Sequence, residues 1–138
     1  MERASQLTEN LAEEQIRWKD SLVVIEQDLE VILGNISISA AAVGYLGPFT
    51  GLFRDKIIEE WKTKLEELEL NKSKLFDLQV VLGNTFEIRS WNNMGLPSDN
   101  ISVVNGLLVK YASQYPLLID PQLQGSRWLK NKEKKNGL

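Results

Sequence analysis

The chain has 138 residues, enough for one domain, with 43% hydrophobic and 25% charged side chains and a net charge of −3. It contains neither Cys nor His, which excludes disulfides, thiolate metal sites and thiol catalysis, and removes the commonest general base and zinc ligand. So small a net charge gives no chain-wide field for nucleic acid or a membrane. No run approaches the ~18 apolar residues of a membrane-spanning helix, and no basic start leads into an apolar leader, so a soluble intracellular protein is the expectation.

Charge is placed unevenly. Residues 1–33 hold eight acids against three bases, and residues 126–138 hold five bases against one acid. Arg127, Lys130, Lys132, Lys134 and Lys135 read as a solvated helix end favoured by the helix dipole. No aromatic platform stands beside them for nucleic-acid binding.

Residues 1–33 predict one long helix without Gly or Pro. Its apolar positions Ala4, Leu7, Leu11, Trp18, Leu22, Ile25, Leu29 and Ile32 form a heptad seam, with Glu14 filling the slot before Trp18. Two successive four-residue steps meet at Trp18, a stutter that locally unwinds a coiled coil. A stripe this narrow needs a partner to bury it. Gly34-Asn35 predicts a stop, both residues tolerating the left-handed conformation of helix ends. Ile36–Leu46, with Ala40-Ala41-Ala42, predicts a short small-residue helix ended by Gly47-Pro48.

Thr50 is the expected N-cap of a third helix whose apolar face is Phe53, Ile57, Trp61, Leu65 and Leu68, widened by Ile58. Leu75–Leu82 predicts a short helix and Thr85–Ile88 an extended piece, because Thr, Phe and Ile favour strands. Trp91–Asn100 predicts a loop rich in Asn, Gly, Pro and Asp, with Asp99 in a turn or capping role. Ser102 is expected to cap a helix carrying Val104, Leu107, Leu108 and Tyr111. Leu117–Ile119 predicts a buried parallel strand, and Gln122–Asn131 a helix with Trp128 and Leu129 inward.

A strand, loop and helix in that order is where a phosphate loop would stand, but Asp120, Pro121 and Gln122 occupy it. Pro121 removes an N–H donor, Asp120 brings a negative charge, and no GxxxxGK[ST] occurs. The carboxylate pairs Glu13-Glu14, Glu59-Glu60 and Glu66-Glu67 are sequence neighbours on helices and splay apart, whereas acid–base chemistry needs two carboxyls facing one substrate. No catalytic, metal or cofactor site is expected in these residues.

Four stretches resemble one family. Leu11–Trp18 is similar to the end of the second coiled-coil helix of a dynein heavy-chain stalk. Ala40–Phe49, followed by Arg54, resembles the small-residue helix and turn after the stalk. Trp91, Gly95–Ser102 and Asn105-Gly106 resemble the start of the fifth AAA+ module. Pro116–Gln122, Gln124 and Trp128–Asn131 resemble that module's first core strand and next helix. The Gly47-Pro48-Phe49 turn looks axonemal. Three positions depart from the family: Val104 replaces an acid, Gly34-Asn35 replaces Gly-Asp, and Gly125 replaces a better helix former.

The resemblance implies a mainly α chain: a coiled-coil helix, helical segments, then the start of an AAA+ α/β module, as an incomplete fragment. It divides the chain into 1–33, stalk helix; 34–82, helical stalk base; and 83–138, truncated fifth module. It implies a microtubule-based, ATP-driven motor of cilia, with this part coupling the ring to the stalk. ATP and magnesium would act in other modules. The implied partners are the first stalk helix and neighbouring modules of the same heavy chain, microtubules, and the intermediate and light chains. Neither nucleic acid nor membrane is implied, and the location is cytoplasm, cytoskeleton and ciliary axoneme. Composition and periodicity alone leave an alternative, a free-standing helical adaptor pairing through residues 4–32.

Overall fold

A computed structural model describes the backbone of residues 2–137 and the side-chain surroundings of residue 11 and residues 13–137. Ala4 and Leu7 of the expected seam therefore lie outside the described side chains. The described residues form six α-helices: α1 Glu2–Tyr45, α2 Gly51–Glu67, α3 Leu78–Leu82, α4 Thr85–Asn93, α5 Asn100–Tyr111 and α6 Gln124–Glu133. A 3-10 turn, Lys134–Asn136, follows. None of them is long and apolar enough to cross a membrane.

The expected stop at Gly34-Asn35 is absent, and α1 runs unbroken to Tyr45. Gly34 serves close approach instead. A Cβ there would stand 2.2 Å from the carbonyl oxygen of Asn71, so only glycine admits the segment that follows α2. Asn35 then fastens the same segment, donating to Ser73 Oγ at 2.7 Å and accepting from the Ser73 N–H at 3.0 Å. The helix does end before Gly47-Pro48, where the loss of an N–H donor breaks the ladder.

Helix α2 buries Arg54, Ile58 and Leu65, while Phe53 and Leu68 of the expected apolar face are exposed. The face is turned because the Arg54 guanidinium finds its acceptors at the end of α1. Thr50 holds the N-cap position without a side-chain hydrogen bond. At the other end Glu69 takes a left-handed φ of 56°, and the Leu70 N–H returns to the Leu65 carbonyl at 3.0 Å, closing the helix as a Schellman-type stop.

Four further expectations change. Thr85–Ile88 is not extended but opens α4, because Asn84 Oδ1 accepts from the N–H groups of Phe86 and Glu87; a good cap outweighs the strand preference of Thr-Phe-Ile. The loop consequently begins at Met94, not Trp91. The cap of α5 is Asp99, whose Oδ1 accepts from the Ser102 N–H at 2.9 Å, and Ser102 itself lies in the first turn. Helix α6 starts at Gln124, two residues later than expected, after a left-handed Leu123.

No strand forms among the described residues. Residues 115–120 are irregular, and Leu117 and Ile119 are almost fully exposed. A strand needs at least one ladder partner, and no other described segment supplies one.

Helix α5 is the wall between two small cores. Val104 and Leu108 face Ile38 and Ala42 of α1, Leu46 just beyond its end, Ile58 and Leu65 of α2, and Leu78 of α3. Val103 and Leu107 face Trp91, Leu96 and Trp128 on the other side. Val104 thus works as a core residue where a charge would be buried without a partner. The two tryptophans meet edge to face, 5.5 Å between ring centroids at 67°. Gly106 lets them close on α5, since a Cβ would stand 3.1 Å from the Trp91 ring.

Candidate functional site

Upstream of Gly34, α1 leaves this body uncovered. Leu11, Trp18, Leu22, Ile25, Leu29 and Ile32 are all exposed, from 47% at Ile32 to 72% at Trp18. They lie along one helix, as a seam requires, and nothing in the described residues packs on them. Ile16, Val23, Val24 and Leu33 are exposed beside them, so the apolar band is wider than the heptad positions alone. Glu14, the polar slot in the seam, pairs with Arg17 at 2.8 Å. Fully burying a Leu or Ile yields about 1.5–3 kcal/mol each, so covering this band would contribute a large association energy.

Downstream of Gly34 the same helix is docked. Ile38, Ser39, Ala42 and Leu46 are buried against α2, α3 and α5. At its C-terminal end stands Arg54, 8% exposed, its Nε donating to the Leu46 carbonyl at 3.0 Å and Nη2 to the Gly47 carbonyl at 3.1 Å. Nη1 donates to Asn105 Oδ1 on α5 at 2.7 Å. Desolvation pulls the Arg54 pKa below its ordinary value, against a smaller raising effect of Asp55. The positive guanidinium sits where the α1 dipole is negative, which offsets part of that burial cost.

The loop before α6 forms the second feature. Asp120 Oδ1 accepts from the Gln124 N–H at 3.0 Å, and Oδ2 from the Ser126 N–H at 2.7 Å. These bonds, the one from Ser126 first, hold the Asp120 carboxyl below the usual carboxylate range. The carboxylate thereby takes helix N-terminal N–H groups of the kind that would bind a phosphate, and Pro121 beside it has none to offer. Gln122 lies in the turn beyond. All three line a shallow open cleft of about 240 Å³ shared with Asn105, Gly106 and Trp128. These residues do not fit a nucleotide phosphate.

Sequence reasoning missed Arg54 as a buried group and Asn35 as a fastener. Arg54 does carry a signal: it shares one helix face with Ile58, Trp61 and Leu65, at i, i+4, i+7 and i+11. Asn35 carries none, because its partner Ser73 lies far along the chain.

Comparison with known proteins points to one group of relatives. Residues 89–138 match the family described as the ATP-binding dynein motor region. Over 136 residues, 99% of the chain, it is 46% identical to human dynein axonemal heavy chain 6. It is 40% identical to mouse dynein axonemal heavy chain 2 over its whole length. It is also 37% identical, over 138 residues, to the dynein-1-beta heavy chain of the flagellar inner arm I1 complex of Chlamydomonas reinhardtii. These relatives are dynein heavy chains of the axonemal type, and the chain resembles them over nearly its whole length. It spans about 3% of the length of these relatives.

Proposed function

We propose that these residues couple the AAA+ ring of a ciliary, microtubule-based, ATP-driven motor to its stalk. One observation carries the reading: α1 is a single helix, docked in a helical body from Gly34 onward and uncovered before it. A continuous helix transmits axial displacement and rotation between its two halves, because every turn is bonded to the next. In this reading residues 1–33 are part of the stalk, 34–82 its base, and 83–138 the start of the fifth AAA+ module. The first stalk helix of the same heavy chain covers Leu11 to Ile32, and neighbouring modules cover Leu117 and Ile119.

The Asp120 loop supports a structural, not catalytic, role for this part, with ATP and magnesium acting in other modules. Microtubules and the intermediate and light chains are partners of the whole motor, in the cytoplasmic cytoskeleton and the axoneme. The similarity to heavy chains runs through Trp91–Asn131, which a coiled-coil adaptor does not need, and so speaks against that alternative.

The test is made in the purified motor. Leu22→Asp with Leu29→Asp places two charges in the seam. Basal ATPase should persist while stimulation by microtubules falls about fivefold or more. Unchanged stimulation would contradict the coupling role.

A further inference from the structure

Arg54 is the one charged residue buried among the described side chains, and it has no carboxylate partner. A Met or Leu would fill the same space without the cost of desolvating a guanidinium. Packing therefore does not explain the charge; its hydrogen bonds do. All three end on neutral oxygens, two on Leu46 and Gly47 just past the last turn of α1 and one on α5. Among the described residues these are the only side-chain hydrogen bonds that link the end of α1 to α5. The apolar contacts between the same helices are non-directional and tolerate small slides. A planar fork holding three acceptors at 2.7–3.1 Å does not.

We propose that Arg54 is the positioning residue through which displacement of α1 reaches α5, with Asn105 as its receiving end. The link enters the module at a sensitive place. Asn105 precedes Gly106, which the Trp91 ring packs against, and it lines the cleft beside the Asp120 loop. A shift of the α1 end thus moves α5 relative to both Trp91 and the loop ahead of α6. This inference rests on the coupling role proposed above.

The experiment uses the purified motor carrying Arg54→Lys, Arg54→Met or Asn105→Ala, assayed for ATPase with and without microtubules and for thermal stability. Lysine keeps the charge but cannot fork to three acceptors, and methionine keeps the packing alone. All three should hold basal ATPase within about twofold and lower microtubule stimulation about fivefold or more. The Arg54→Lys/Asn105→Ala double variant should be no worse than either single one, since both cut one link. Asn105 is exposed, so its variant decides the matter should an Arg54 variant not fold. Wild-type stimulation in Asn105→Ala and Arg54→Lys overturns the proposal, as does a parallel loss of basal and stimulated activity, which marks a merely structural role. If the Leu22→Asp/Leu29→Asp motor loses stimulation while these variants keep it, the coupling role stands and the Arg54 link falls. If none loses it, both fall.

Discussion

Gly34 and Gly44 occupy the same helix, yet one substitution has opposite effects at the two. At Gly34 a methyl group would collide with the Asn71 carbonyl, whereas at Gly44 nothing lies within 4 Å. Alanine gains up to about 1 kcal/mol of helix propensity at either position. At Gly34 the clash outweighs that gain, so Gly34→Ala should destabilise by about 1–3 kcal/mol, and Gly44→Ala should stabilise by up to about 1 kcal/mol. Urea unfolding of the two variants checks the signs. Asp99→Ala should cost about 1 kcal/mol through the lost cap of α5, read in the same assay.

Asp120 adds a pH dependence. Its folded pKa lies below the unfolded one, so its contribution is complete above the unfolded value of about 4. That contribution disappears as pH falls through the lower folded value. Protection of the Gln124 and Ser126 amides, taken relative to their intrinsic exchange rates, should therefore fall in acid, and Asp120→Asn should show the lower protection already at neutral pH. Protection independent of pH and of this substitution would contradict the role given to the carboxylate.

Among the elements, α1 dominates. Its uncovered band should drive self-association and dye binding when the chain is studied alone, and Leu22→Ser with Leu29→Ser should reduce both. Light scattering against concentration measures this; a wild-type chain that stays monomeric and binds no dye would count against an interaction face. Helix α5 was readable from sequence, its Val104, Leu107 and Leu108 spacing being a local property, and so was the inward Trp128, whereas Tyr111 at the end of that face is exposed. The helix stop at Gly34-Asn35 was misread because glycine punctuates helices and also admits close neighbours, and only the distant Asn71 separates the two uses. The Thr85–Ile88 segment was misread because its cap, Asn84, outweighs its composition. Arg54 was hidden by the general rule that charged side chains face water. Pairing of Leu117–Ile119 was not decidable locally, since a strand exists only with its neighbours.

At the scale of the whole molecule, a helix docked over one part and bare over another joins two small cores to a surface still to be covered. The similarity to an axonemal heavy chain extends over 99% of the chain. The proposed coupling role would account for the bare seam, the unladdered 115–120 segment and the Asp120 carboxylate on the α6 N-terminus together. The most direct test is the size and place of the native protein, probed with an antibody to residues 50–75 on whole-cell and cilium extracts. A band far above 15.7 kDa, enriched in cilia, is expected. A sole band near 15.7 kDa would contradict the proposed role.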